Sequence, residues 1–162
     1  MIIEHAIRLA TPADAARIGV MSRDLIERGL GWRWTPASIR RCIADPATNV
    51  AVAPTQQGIA GFAIMQYRDD EAHLMLLAVD PAQRRRGIAS ALIAWHEKTA
   101  LTAGIGTVYV EARANKAETR AFYRKLGYRE VQLVRGYYHG VEDAVRLAKD
   151  LWASPSATAP ES

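Results

Sequence analysis

Hydrophobic and polar positions alternate at strand spacing in some stretches and recur at helical spacing in others, and the switches between the two periods mark the elements. The opening, Glu4 to Ala10, reads as a strand. Thr11 and Pro12 start a helix that runs to about Arg28, with Ile18, Met21, Leu25 and Ile26 on one face and Gly29 and Gly31 ending it. Thr35 followed by Pro36 starts a second, short helix that reaches about Ala44, since proline at the first helical position loses no hydrogen bond. Asn49 to Ala53 and Ile59 to Tyr67 read as strands joined by a turn through Gln56, Gln57 and Gly58. Past a turn at Asp69 and Asp70, Ala72 to Val79 adds a third strand to this meander. A loop from Asp80 to Arg86 then leads into a helix from Gly87 to about Ala103, closed by Gly104 and Gly106. Thr107 to Ala112 is a strand and Ala117 to Leu126 a helix, with Gly127 suited to the left-handed residue that closes it. Tyr128 to Leu133 and Ala144 to Lys149 make a final hairpin-like pair. The order β-α-α-β-β-β-α-β-α-β-β, a meander followed by a strand–helix–strand crossover, predicts a mixed sheet with helices on both faces.

With 162 residues the chain has room for one ordinary domain, expected over residues 1–153. The segment Ser154 to Ser162, S-P-S-A-T-A-P-E-S, reads as a disordered tail. The apolar run Leu74 to Val79 is far shorter than the ~18 residues of a membrane helix, and Glu4 interrupts any N-terminal apolar region. Neither a membrane partner nor a secretory signal is therefore expected. The single Cys42 allows no internal disulfide and no cysteine cluster for zinc. His5, His73, His96 and His139 are scattered without metal-ligand spacing and receive no role, so no metal is expected. The net charge is +4, and 17 of the 21 basic residues are arginine, the side chain suited to planar recognition of phosphate or carboxylate. Acids accompany the bases nearly everywhere, which argues against a nucleic-acid partner. These features describe a cytoplasmic, metal-free domain.

The most informative segment is L-L-A-V-D-P-A-Q-R-R-R-G-I-A-S-A-L, Leu76 to Leu92. A buried strand runs through a short loop into a helix whose first turn holds Gly87 and Ala89. The first amides of a helix lack intrahelical acceptors and carry the positive end of its dipole. A glycine there lets an anion's oxygens approach closely, and Arg84, Arg85 and Arg86 add charge for a diphosphate. The plainer reading is a helix start with a solvated arginine run. Neither the P-loop pattern nor the G-x-G-x-x-G of a dinucleotide-binding unit is present, which removes nucleotide hydrolases and nicotinamide dehydrogenases.

The stretch Gln83 to Ala89, Q-R-R-R-G-I-A, resembles the acetyl-CoA signature Q/R-x-x-G-x-G/A of the GNAT superfamily of N-acetyltransferases. The likeness runs from the I-R-L-A-T-P-A-D opening to the last strand. Three segments, E-A-R-A-N (Glu111 to Asn115), A-F-Y-R-K-L-G-Y (Ala121 to Tyr128) and R-G-Y-Y-H-G-V-E-D-A (Arg135 to Ala144), resemble the branch that acetylates protein N-termini, in particular the bacterial enzymes that act on a ribosomal-protein alanine. The resemblance implies an α/β fold with a mixed, mostly antiparallel six- to seven-stranded sheet. It implies acetyl-CoA as co-substrate, its pyrophosphate on the amides of Arg84, Arg85, Arg86, Gly87, Ile88, Ala89 and Ser90, and its pantetheine arm along Leu77, Ala78 and Val79 as if it were a further strand. A backbone N–H of that strand would polarise the thioester carbonyl.

Acetyl transfer to an amine needs a proton acceptor for the nitrogen and a proton for the departing thiolate. Glu111 lies mid-strand in V-Y-V-E-A-R, and a carboxylate among apolar neighbours is expected to have a raised pKa, as suits a base. The alternative is a strand glutamate that faces solvent or pairs with Arg113. Tyr123, 12 residues later, is either a core aromatic beside Phe122 or, by the resemblance, the general acid. Asn115 comes four residues after Glu111, where the family places its pantetheine-contacting asparagine five after, and Lys116 holds the expected place. Asn115 also suits a helix N-cap. By resemblance Tyr137 and Tyr138 flank the acceptor peptide; otherwise they are a hairpin pair packed on the sheet. Trp32 and Trp34 either line an acceptor pocket or anchor their loop.

The leading expectation is an N-acetyltransferase acting on a protein or peptide N-terminal amine, as a monomer or homodimer. The alternatives are acetylation of a small-molecule amine, with Asp69, Asp70 and Glu71 as candidate contacts for a cationic acceptor, and a non-catalytic acetyl-CoA-binding regulatory domain.

Overall fold

The computed structural model describes residues 6–153. The strand expected from Glu4 is described from Ala6 onward and is confined to β1 (Arg8–Leu9); the tail expected after residue 153 lies outside the described residues. The elements follow the expected order: α1 (Ala15–Leu25), α2 (Pro36–Ala44), β2 (Thr48–Thr55), β3 (Gly58–Tyr67), β4 (Glu71–Val79), α3 (Ile88–Thr102), β5 (Thr107–Arg113), α4 (Ala117–Lys125), β6 (Arg129–Tyr138) and β7 (Glu142–Asp150). The seven strands form one sheet in the order β1-β2-β3-β4-β5-β7-β6. The described residues group into two compact units, 6–67 with 74–96, and 68–73 with 97–153.

In the first unit β2 pairs antiparallel with β1 and β3, placing Val50 opposite Ile64 and Val52 opposite Phe62. These side chains join Ile18 and Met21 of α1, Ile39 of α2, and Leu76 and Ala78 of β4 in one apolar core. The first helix is shorter than its apolar spacing predicts. Pro12–Asp14 form a 3-10 turn, α1 follows, and the chain leaves helical geometry after Leu25 because of Glu27. That carboxylate is buried, and it accepts from Ser22 Oγ (2.8 Å), Arg33 N (2.6 Å) and Trp34 N (3.2 Å). A buried charge needs such partners, and here they fold the 26–35 loop back onto the end of α1. Trp32 donates from Nε1 to Gly19 O at 3.1 Å and lies under the Arg23 guanidinium, while Trp34 packs on the core. Both indoles anchor their loop. Thr35 caps α2 by accepting from Ser38 N at 3.3 Å, with Pro36 in the first turn as its sequence predicts.

In the second unit β7 pairs antiparallel with both β5 and β6, and Val108, Val110, Ala112, Ala144, Leu147 and Ala148 are buried. Tyr128 donates to Glu97 at 2.8 Å, and Lys149 closes the group by pairing with the same carboxylate at 3.0 Å. β6 and β7 extend beyond the predicted hairpin. The pairing of β6 slips between Val134 and Tyr138, where Asp143 Oδ1 accepts from Gly136 N at 2.9 Å. A bulge of this kind re-aims side chains, and it sets the direction of Tyr137.

Candidate functional site

The first unit carries the loop that the sequence assigns to a phosphate. Leu77, Ala78 and Val79 end β4, with Ala78 buried and its two neighbours half-buried. A Cβ on Gly61 of β3 would stand 2.8 Å from Ala78 O and 3.3 Å from Ile88 Cγ2, so only glycine permits this approach of backbone to backbone beneath the loop. Asp80 caps the 3-10 turn Pro81–Gln83 by accepting from Ala82 N (3.0 Å), and Arg17 of α1 holds the same carboxylate at 3.1 Å. The chain is then extended at Arg84 and left-handed at Arg85 (φ 66°) and Gly87 (φ 74°). Gly87 O accepts the first bond of α3, from Ala91 N at 3.0 Å. The amides of Ile88, Ala89 and Ser90 therefore open the helix with no i−4 carbonyl to bond. Left-handed residues in a turn direct successive amides into one concavity, a geometry that accepts anions. Arg84, Arg85 and Arg86 are exposed around it, with Arg86 holding Gln83 Oε1 at 3.0 Å, while the buried Ile88 pins the helix start.

The second unit carries a buried carboxylate. The Glu111 side chain is 4% exposed. Its Oε2 accepts from Arg146 Nε at 2.6 Å, and its Oε1 is shared by Tyr137 Oη at 3.1 Å and His73 Nε2. Arg146 stands directly opposite Glu111 in the β5–β7 register and extends to Gln132 Oε1 of β6 at 3.2 Å. Burial raises the Glu111 pKa, but the hydrogen bond and charge of His73 and then those of Arg146 outweigh it and hold the carboxyl below its ordinary value. The expected raised pKa is thus corrected. The apolar context of V-Y-V-E-A-R is real, yet the polar partners come from other strands. The Arg113 alternative is corrected as well: Arg113 pairs with Glu142 at 3.0 Å and lies over the Tyr138 ring. His73, assigned no role from sequence, is a direct partner of the carboxylate.

Tyr123 is buried in α4 with edge-to-face contacts to Phe122 (5.3 Å) and Tyr128 (5.7 Å). Burial, with Tyr138 nearby, pushes its phenol above the ordinary range, so it keeps its proton at neutral pH. Asn115 is exposed and does not cap α4; Lys116 occupies the N-cap, because the turn closed by Lys116 N and Arg113 O at 3.0 Å delays the helix by one residue. Tyr137 and Tyr138 stand at the end of β6, with rings edge-to-face at 4.9 Å. The structure thus brings Glu111 and Tyr137 together, adds His73 and Arg146, and leaves Asn115 apart from them.

Residues 21–143 match the acetyltransferase (GNAT) domain family. The chain belongs to the GNAT acetyltransferase family. Its similarity to the ribosomal protein bS18-alanine N-acetyltransferase of Escherichia coli is 40% identity over 98 residues, 58% of this chain and 66% of that protein. The match thus spans just under two thirds of that relative. The N-alpha-acetyltransferase RimI of Mycobacterium tuberculosis is 30% identical over 145 residues, covering 86% of this chain and 89% of the relative. The crystal structure of the ribosomal-protein-S18-alanine N-acetyltransferase from Escherichia coli superimposes with a TM-score of 0.76 at 25% identity, covering 93% of this chain and 96% of that one. The mostly antiparallel seven-stranded sheet is the one expected of this family. No helix among the described residues is long and apolar enough to cross a membrane, and no cluster of three or more His, Cys, Asp or Glu placed to hold a metal ion occurs among them.

Proposed function

We propose that this GNAT protein transfers the acetyl group of acetyl-CoA to the α-amino group of a peptide or protein N-terminus. The observation that carries the reading is the hydrogen-bonded centre on Glu111, a buried carboxylate tied to a histidine and a tyrosine in a family whose chemistry is acetyl transfer. Its relatives are named as a ribosomal protein bS18-alanine N-acetyltransferase in Escherichia coli and an N-alpha-acetyltransferase in Mycobacterium tuberculosis. The Arg84 to Ser90 loop supplies amides and charge for the diphosphate, and Leu77 to Val79 supply the strand beside which the pantetheine amides would lie. Glu111 and its partners receive the amine proton, and Tyr123, which stays protonated, supplies one to the thiolate. Tyr137 and Tyr138 contact the acceptor backbone.

The lowered pKa of Glu111 bears on the acceptor. An α-amine (pKa ~8) is partly neutral at pH 7, whereas a lysine side chain (~10.4) costs about 3 kcal/mol more to deprotonate. A weakly basic centre suits the first. The test is incubation with acetyl-CoA and a panel of short peptides with free N-termini, N-terminally blocked lysine peptides, and small amines, with free thiol detected. Turnover of the free N-terminal peptides is expected. Turnover of small amines alone would replace this reading with the small-amine one, and acetyl-CoA binding without turnover of any amine would replace it with a regulatory domain.

A further inference from the structure

Glu111 has little room to act as a free base. Three donors converge on it, two on Oε1 and one on Oε2, and a carboxylate offers only about four acceptor positions. Arg146 is set on it by strand register, not by a flexible reach, and its second contact to Gln132 fixes the guanidinium in the row. An ion pair held this way favours the ionised carboxylate. The next group outward is His73, whose side chain is 24% exposed. Its Nε2 faces the carboxylate, and a histidine whose one nitrogen donates to a carboxylate presents a lone pair on the other. Among the described residues Nδ1 has no protein partner.

We propose that Arg146 is a positioning residue that holds Glu111 as an ionised strut, and that the amine proton is taken by Nδ1 of His73. The inference rests on the acetyl-transfer reading above and deepens it. The amine nitrogen forms a bond to the thioester carbonyl carbon and passes a proton to Nδ1. The carbon–sulfur bond breaks with its electron pair on sulfur, which takes a proton from Tyr123. The imidazolium, stabilised by Glu111, then returns its proton through solvent to the tyrosine oxygen, so that Tyr123 is reprotonated and the net change is one proton lost by the amine and one gained by the thiolate. Charged and titratable groups around His73 are Glu111 from β5, Tyr137 from β6, Arg146 from β7 through Glu111, and Glu71 two residues earlier on the same face of β4. β3 carries no charged side chain, and its Tyr67 is bonded to Asn49. Arg146 offsets the Glu111 charge, so removing it leaves that charge uncompensated beside the imidazole.

The experiment records kcat against pH with saturating acetyl-CoA and peptide for the full chain and its variants, beside melting curves with and without acetyl-CoA. His73→Gln should lower kcat by about 10²- to 10³-fold with the acetyl-CoA melting shift retained. Added imidazoles should restore part of the activity of His73→Ala in proportion to their basicity, which a packing role would not produce. Arg146→Gln should move the acidic limb of kcat up by about one pH unit, and Arg146→Lys by less. If His73→Gln keeps kcat within about threefold while Glu111→Gln is inactive, Glu111 itself takes the proton, and this inference fails while the acetyl-transfer reading stands. An inactive wild-type chain overturns both. Should His73→Gln melt below assay temperature, imidazole rescue and the Arg146 pair decide, and an unmoved limb without rescue overturns the inference.

Discussion

Glu111→Gln is the perturbation with the best-defined structural cost. The replacement keeps the shape and leaves an amide where a nearly inaccessible carboxylate bonds Arg146, His73 and Tyr137. Its oxygen can still accept from Arg146 Nε, while its NH₂ must face His73 Nε2 and Tyr137 Oη, which then have to accept. Bonds to a charged group contribute about 1.5–3 kcal/mol each, and weakening one while reversing two that can still be made costs about 2–3 kcal/mol. For a chain of this length that lowers Tm by roughly 4–12 °C. The pH dependence gives a second test. The folded carboxyl has a pKa below its unfolded value, so its contribution is complete above the unfolded value of about 4.3 and is lost as pH falls through the folded one. The stability gap between wild type and Glu111→Gln should therefore narrow as pH falls below about 4. Urea unfolding at a series of pH values measures it. A gap that stays constant down to about pH 3 would mean that the carboxyl is not stabilised by its partners, and the account of the centre would fail.

Tyr123→Phe should lower kcat by about ten- to a thousandfold with the acetyl-CoA melting shift intact, because the ring is preserved; full activity returns Tyr123 to the core. Acetyl-CoA at a hundredfold excess over its Kd should stabilise the fold by about 2.7 kcal/mol. Gly87→Asp should abolish that shift by adding strain at φ 74° and like charge beside the diphosphate, and a retained shift would put the phosphate elsewhere. His96 is fully buried, with Nε2 on Ala63 O at 2.9 Å, and burial pushes its pKa down to about 4 despite that bond. The unfolded state therefore binds the extra proton between about pH 6.5 and 4, and stability should fall by about 3 kcal/mol across that window. His96→Leu should flatten this part of the curve, and an unchanged slope in the variant refutes the assignment.

Much of the fold was legible because it depends on local chemistry. Thr35-Pro36 announces α2, Gly87 the start of α3 and Gly127 the end of α4, each through a backbone requirement that only nearby residues decide. The strand, turn and helix start around Arg84 to Ser90 were legible for the same reason, since they are contiguous in the chain. The end of α1 was not. Nothing in I-E-R-G-L-G-W-R-W shows that Glu27 turns inward to take the amides of Arg33 and Trp34, because an isolated glutamate in a helical pattern ordinarily faces water.

The same limit explains why the direction of the Glu111 pKa shift differs from the expected one. From V-Y-V-E-A-R alone, burial is the dominant influence on Glu111, and burial by itself raises a carboxyl pKa. The sign is decided by residues 38 and 35 positions away, His73 and Arg146, which reach it only through sheet pairing. Arg146 is directly opposite Glu111 because β7 enters between β5 and β6, an order in which the chain's last strand is not at the edge. A slip of one residue in that pairing would turn Arg146 to the other face and leave the carboxylate without its guanidinium. The chemistry at Glu111 thus depends on register, and register is a property of two strands together. It follows that changes which disturb the β6–β7 pairing far from Glu111, for example at the Asp143 contact that fixes the bulge, should alter the pH dependence of turnover as well as the melting temperature. Asp143→Ala tests this. A variant that melts earlier but keeps the wild-type pH profile would show that the centre's charge state does not depend on how this hairpin is held.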